Sequence, residues 1–287
     1  MSYSIYTVAR DVFPESLREI PEPPQTLFVA GNMPDANNKL LCVVGSRNYS
    51  PYGKEVCKHI IEGLAGYPIT IVSGLALGID GIAHTSALEA GLQTIAIPGS
   101  GLDPSVLYPR SHYNLAEDII GKGGGLLSEF KPTFKATPWS FPQRNRLMAG
   151  LSDAILVIEA EEKSGTLITS RLATEYNKDV YTVPGSIFSP QSAGPHMLLR
   201  LGATPIRNAA DIIDAFGFSN IPQTDTLPYP LSEAEQTVYE HIAKAPISRN
   251  DLIRQLSFET HVLTALLTSL EIAGIIEEKM GYFRTTR

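Results

Sequence analysis

Between Leu40 and Asp214, short apolar runs alternate with longer amphipathic stretches. The runs are Leu40–Val44, Ile69–Ser73, Thr94–Ile97, Gly125–Ser128, Ala154–Glu159 and Val180–Val183. They are rich in Val, Ile and Leu and show little in–out alternation, the pattern of strands covered on both faces. Between them, Tyr52–Gly63, Ile79–Ala90 and Thr166–Asn177 carry apolar residues at helical spacing. Repeated strand–helix units predict an α/β domain over residues 40–215, built on a doubly wound, mostly parallel sheet.

The flanks read differently. Residues 1–39 are too short for a domain and hold Pro21, Pro23 and Pro24, which predicts an extended arm packed on the sheet edge. Residues 216–230, with Pro222, Pro228 and Pro230, read as a linker. Beyond it, residues 231–287 predict a helix Glu233–Ala243 capped by Ser232 and a shorter one, Arg249–Gln255, after Ser248. A third, Glu259–Ala273, ends near Gly274, and a hairpin follows around Met280-Gly281. Three helices and a hairpin describe a small winged-helix domain.

Composition narrows the class. With 43% hydrophobic and 18% charged residues over 287 positions, the chain suits a soluble protein with a sizeable core. No apolar run reaches the roughly 18 residues of a membrane span, and the N-terminus lacks the pattern of a secretory signal. Cys42 and Cys57 fall in an apolar strand and on a helix, so they read as buried small hydrophobes. These features point to the cytoplasm. The net charge of −7 argues against broad adhesion to nucleic acid, so any such binding must come from a local basic pocket.

In an open α/β sheet, ligands bind beyond the carboxyl ends of the strands. Here those ends read Gly45-Ser46-Arg47, Ser73-Gly74-Leu75, Pro98-Gly99-Ser100-Gly101, Lys163-Ser164-Gly165-Thr166 and Pro184-Gly185-Ser186. Glycines let an anion approach the backbone, and helix N-termini add N–H groups and a positive dipole end. Several along one edge, with Arg47, Arg144, Arg146 and Lys163, indicate an anionic ligand and favour a polymer over a lone phosphate. The stretch Phe141-Pro142-Gln143-Arg144-Asn145-Arg146 leaves two readings open. Its guanidiniums and aromatic ring suit phosphates and an unstacked base. Equally, the arginines suit helix ends or a subunit contact.

Other candidates carry less. Asp80 and His84 are spaced i, i+4, with no nucleophile beside them, and read as a structural hydrogen bond rather than a catalytic pair. His59, His112, His196, His241 and His261 show no metal-ligand spacing. Glu159, Glu161 and Glu162 cluster after an apolar run, where a carboxylate orients an arginine or is solvated more readily than it binds Mg²⁺ or acts as a base. No Gly-x-x-x-x-Gly-Lys-Ser/Thr segment is present, which counts against P-loop ATP hydrolysis.

Taken in order, Val44-Gly45-Ser46-Arg47, Ile71 through Asp80 with Ala83-His84, Gly101-Leu102-Asp103, Tyr108-Pro109 and Leu127-Ser128-Glu129 resemble the DprA/Smf family. So do Phe141 through Arg146, Val157-Ile158-Glu159-Ala160 and Ser164 through Thr169. The resemblance runs from about Pro21 to Asp214, and the C-terminal segment looks like the winged helix of many members. It implies an extended Rossmann-like domain that binds single-stranded DNA, protects incoming strands in natural transformation and helps load the RecA recombinase. It further implies a homodimer with no enzymatic activity and no cofactor. Ser46 and Arg47 would hold a phosphate, as would the backbone at Gly45, around Ser73, Gly74 and Leu75, and around Ser164, Gly165 and Thr166. Arg144, Asn145 and Arg146 would hold the strand, and Phe141 would meet a base. Lys163 is added on charge and position. Many members carry a helical domain before this core, for which this chain has no room.

In residues 231–287, six Lys and Arg face eight Asp and Glu, and the third helix carries no Lys or Arg. A duplex would meet net repulsion there, which makes duplex binding doubtful and favours a protein-contact or regulatory role. Two alternatives remain. One is a nucleotide-processing enzyme like the lysine-decarboxylase-like hydrolases, although Thr169 stands where those carry a catalytic Glu. The other is a nucleotide-sensing module. Apolar faces around Ile212-Ile213 and Phe216 are candidates for a dimer surface.

Overall fold

The computed structural model describes residues 3–218, 231–244, 246–256, 258–279 and 281–285. The chain divides into two compact units, Met1–Gln223 and Thr224–Arg287. Most of the expected linker, residues 219–230, lies outside the described residues.

The first unit is built on nine strands: β1 (Ile5–Ala9), β2 (Thr26–Gly31), β3 (Lys39–Val44), β4 (Ile69–Ser73), β5 (Thr94–Ala96), β6 (Gly125–Ser128), β7 (Ala154–Val157), β8 (Asp179–Thr182) and β9 (Thr204–Pro205). Their order is β1-β2-β6-β5-β4-β3-β7-β8-β9. From β6 to β9 every pairing is parallel, as the uninterrupted apolar runs predict. The helices are α1 (Glu15–Arg18), α2 (Pro51–Glu62), α3 (Ile79–Glu89), α4 (Tyr113–Gly121), α5 (Ser140–Leu151), α6 (Thr166–Glu175), α7 (Ala193–Arg200) and α8 (Ala209–Ala215).

The central strands show why both faces must be apolar. Leu40, Cys42 and Val44 of β3 join one core cluster with Leu147 and Leu151 of α5. Leu41 and Val43 join the opposite cluster with Ile60 of α2 and Ile79 of α3. Cys42 and Cys57 are buried free thiols, and burial pushes the Cys57 thiol up to about 12.

The N-terminal segment is not an arm laid against the sheet. It supplies two of its strands, β2 pairing antiparallel with β6 and β1 closing the edge. Leu17 and Ile20 then tuck beneath α5, where a Cβ on Gly150 would lie 2.5 Å from Ile20. Pro21, Pro23 and Pro24 fall in the irregular stretch between α1 and β2. Ile212 and Ile213, candidates for a dimer surface, face the core instead, and Phe216 packs between Tyr181 and Phe218. Covering the outer strands consumes this apolar face.

The second unit holds α9 (Glu233–Lys244), β10 (Ile247–Ser248), α10 (Arg249–Gln255), α11 (Thr260–Ile272), β11 (Ile276–Lys279) and β12 (Tyr282–Thr285), with strand order β10-β12-β11. This is a winged helix. Ser232 and Glu235 cap α9 reciprocally: Glu235 N–H donates to Ser232 Oγ at 3.3 Å and Ser232 N–H to Glu235 Oε2 at 3.0 Å. Ser248 caps α10 through the Asp251 N–H. Val238, Leu252, Leu263, Leu267 and Phe283 form its core.

Candidate nucleic-acid interface

The strand order reverses around β3. Successive strands run outward from it to β4, β5 and β6 on one side and to β7, β8 and β9 on the other. Such a switch point leaves a crevice between the loops that leave in opposite directions. Here a cleft of about 510 Å³ opens at that place.

Its lining includes Gly45, Ser46 and Arg47 beyond β3, Phe141, Arg144 and Asn145 from α5, and Lys163, Ser164, Gly165 and Thr166 at the start of α6. Two loops are locked together across it, since Thr166 Oγ1 donates to the Gly45 carbonyl at 3.1 Å. The Asn48 N–H donates to Ser46 Oγ at 3.1 Å, which shapes the turn that presents Arg47. The N-terminus of α6, a ten-residue helix, brings its positive dipole end to the same wall. Three cations, Arg47, Arg144 and Lys163, line the cleft against two carboxylates, Asp80 and Glu161. In a chain of net charge −7 this is a local reversal of sign.

The cations differ in availability. Arg47 and Lys163 are exposed, and among the described residues neither forms an ion pair. The Arg47 guanidinium lies over the Phe141 ring, 5.4 Å from its centroid, and Tyr108 tilts against the same ring at 5.7 Å. Phe141 is partly buried because it rests on Gly99, where a Cβ would stand 2.6 Å from its Cδ1.

Arg144 is buried and works in the wall. Its Nη1 donates to the Ile97 carbonyl at the end of β5, while Nε has no partner. Burial draws this guanidinium below its ordinary range, and Asp80 counters the effect. Burial likewise raises Asp80, which Arg144, the Ala76 and Gly74 N–H groups and Arg47 offset in turn. Both groups crowd Gly74, where a Cβ would stand 2.6 Å from Asp80 Oδ2 and collide with Arg144. Glycine is therefore required at the end of β4 for steric reasons. Gly74 lines a small recess shared with Arg47, Tyr108 and Phe141. Ser73 and Leu75 are buried and lie outside the cleft, and Ser73 Oγ donates to the Val43 carbonyl at 2.6 Å.

Arg146 is not in the cleft. It pairs with Glu129 and donates to the Glu22 carbonyl, tying α5 to β6 and to the N-terminal segment. The reason is local geometry. Phe141–Arg146 lies within helix α5 rather than a loop, and residues two apart on a helix point to nearly opposite sides. Arg144 can face the cleft only if Arg146 faces away.

Asp80 and His84 do not bond to each other in the way their spacing invites. His84 Nδ1 donates to Thr94 Oγ1 at 2.7 Å, since Thr94 itself donates to the Ile71 carbonyl. Burial lowers the imidazole to about 3, so the ring is neutral. Glu159 neither orients an arginine nor stands in solvent. It accepts the Ser50 N–H at 2.9 Å and the Ser50 hydroxyl at 2.5 Å, closing the N-terminus of α2. Ala76, Met148 and Ile168 also line the cleft without having been singled out in the sequence. Small and apolar types at such positions carry no chemical signal before the fold is known.

Among the described residues, no helix is long and apolar enough to cross a membrane. The family described as DNA recombination-mediator protein A matches residues 4–217, and the DprA winged helix domain matches residues 222–281. Protein Smf of Escherichia coli strain K12 is 39% identical over 294 aligned positions, covering 96% of this chain and 76% of that protein. DNA processing protein DprA of Streptococcus pneumoniae is 40% identical, with 74% of each chain covered, and its X-ray structure superposes with a TM-score of 0.68. DNA processing protein A of Helicobacter pylori, whose structure describes a single-stranded DNA binding mode, superposes with a TM-score of 0.66 at 30% identity, covering 75% of this chain and 96% of that one. With the switch-point cleft in place and both units matched, the chain belongs to the DNA recombination-mediator protein A family, DprA/Smf.

Proposed function

We propose that this protein binds single-stranded DNA along the carboxyl edge of its sheet and mediates recombination with it. In this reading it protects incoming strands during natural transformation and loads the RecA recombinase, acting in the cytoplasm as a homodimer. The observation that carries the reading is the pairing of available cations with an aromatic ring. Arg47 and Lys163 stand at the cleft with no ion pair among the described residues, and the Arg47 guanidinium lies over the Phe141 ring. Phosphates need the charge, and an unstacked base needs the ring. The single-stranded DNA binding described for the Helicobacter pylori protein supports the same assignment.

Within the proposed site, Gly45, Ser46 and Arg47 hold one phosphate, and Ser164, Gly165, Thr166 and Lys163 another. Asn145 and Phe141 face the strand between them, and Arg144 supports the wall that carries them. Binding rather than hydrolysis is favoured because Thr169, at the position of the hydrolases' catalytic Glu, offers a hydroxyl with no general-base capacity at neutral pH.

An electrophoretic shift assay on the full chain tests this reading with single- and double-stranded oligonucleotides. Single strands are expected to bind with an affinity that falls steeply with salt, by about 0.7 log units per log unit of salt for each phosphate neutralised. Arg47→Ala with Lys163→Ala is expected to cost roughly a hundredfold, about 2.7 kcal/mol for two charge-assisted contacts. Wild-type binding by that double variant would refute the cleft assignment. Release of free base from nucleoside monophosphates would replace binding by catalysis, with Glu161 as the carboxylate to examine.

A further inference from the structure

A second aromatic cluster lies one loop away from the cleft. Phe130 and Phe134 stack at 4.6 Å, and Trp139 meets them edgewise at 5.6 and 5.7 Å. Phe130 is buried, yet Trp139 is 57% exposed. Lys131 and Lys135 are exposed beside it, and among the described residues neither forms an ion pair. The adjacent carboxylate, Asp103, is engaged by the Ser105 N–H and hydroxyl. Glu129 is engaged by Arg146.

This cluster and the Phe141 ring share one support, the loop that follows β5. Phe141 rests on Gly99, and Ser140 Oγ donates to the Gly99 carbonyl at 2.6 Å. Two residues on, Gly101 N–H donates to the Phe134 carbonyl at 2.8 Å, and Asp103 N–H to that of Pro132 at 2.9 Å. Trp139 and Phe141 flank Ser140 at the start of α5, so their rings project to different sides of that helix end. The result is two aromatic surfaces side by side, each with its own free cations.

We propose that the platform of Trp139 and Phe134, with Lys131 and Lys135, is a second station for the same single strand. A strand seated in the cleft continues over the loop at Gly99–Gly101, stacks a base on Trp139 and places flanking phosphates on the two lysines. The chemistry is that of sequence-tolerant single-strand binding, a π-face for a base and cations for the backbone. This rests on the reading given under Proposed function and deepens it from one pocket to a path.

Trp139 is the single tryptophan in the chain, so its emission reports on this station alone. Fluorescein-labelled oligothymidylates of about 4 to about 16 nucleotides, the span of known stacking sites, are titrated into the full-length protein. Anisotropy reads binding, and Trp139 emission reads contact at the platform. The shortest strands are expected to raise anisotropy with unchanged emission, and longer ones to quench it. Trp139→Ala is expected to weaken the longer strands by about 5- to 150-fold and to leave the shortest unaffected, with Trp139→Phe restoring most of the loss. Lys131→Gln with Lys135→Gln is expected to lower the salt slope for long strands by about 1.4. Full binding with unquenched Trp139 at every length would overturn the second station while leaving the cleft intact. Absence of any anisotropy change would overturn the cleft reading and the station with it.

Discussion

The two units of this chain dispose of their exposed arginines differently. At the strand ends of the α/β unit, Arg47 and Lys163 form no ion pair among the described residues. In the winged helix every described arginine is spoken for: Arg249 by Glu278, Arg254 by Asp251 and Arg284 by Glu277. Helix α11, the one that would enter a major groove, has no Lys or Arg at all. On the proposed reading, nucleic-acid affinity follows cations left free and gathered in one cleft, not the presence of a fold known for DNA binding.

The sharpest test of that rule lies inside the α/β unit. Arg146 is as basic as Arg47 but is buried against Glu129, whose second oxygen, Oε1, already lacks a partner. Arg146→Ala strands that carboxylate and is expected to cost about 3–5 kcal/mol of stability, read from urea unfolding. Its effect on strand affinity is expected to stay within about twofold. A loss of affinity in a stably folded variant would show that committed cations still bind DNA and would break the contrast.

Acid should separate the units next. The folded His84 ring stays neutral down to about 3, whereas the unfolded chain takes up that proton near 6.5. Between those values the unfolded state holds more protons, so stability falls as pH falls. The loss approaches 1.4 kcal/mol per pH unit, about 2 kcal/mol between pH 6.5 and 5. Trp139 fluorescence follows unfolding of this unit, and His84→Gln should flatten the slope. Among the described residues the winged helix buries no histidine.

The smallest effect is expected from freeing the winged-helix arginines. Glu277→Gln with Glu278→Gln should cost under about 1 kcal/mol, because both pairs are about half exposed. Duplex retardation in the shift assay should remain absent, since α11 still offers no cation to a groove. Appearance of tight duplex binding would mean that the two carboxylates alone withhold it.

The central strands were legible because parallel strands buried on both faces read as plain apolar runs, and β3, β4, β6 and β7 fall where those runs lie. Helix α5 was not. It is buried on several sides, with Arg144 and Arg146 sunk into opposite walls, so no polar stripe marks its period. Without that period, Arg144 and Arg146 read as one pair rather than as residues on opposite sides of a helix. The edge strands β1 and β2 were obscured by the prolines between them. At the cleft, Gly45-Ser46-Arg47 and Lys163 through Thr166 stood out as polar breaks after apolar runs. The buried roles of Ser73, Leu75 and Glu159 depend on which loops meet across the sheet, which adjacent residues do not reveal.

Glu159 carries a consequence for how a strand would lie. A helix N-terminus attracts phosphate, and the edge of this sheet presents several. At α2 the place is taken from within, since the Glu159 carboxylate already receives Ser50 and packs where a Cβ on Gly53 would stand. The protein places a carboxyl group of its own at one of its helix starts. On the proposed reading, a strand held at Arg47 would find α2 already occupied by a carboxylate and α6 open, so the choice among equivalent footholds would be made by the protein before the strand arrives.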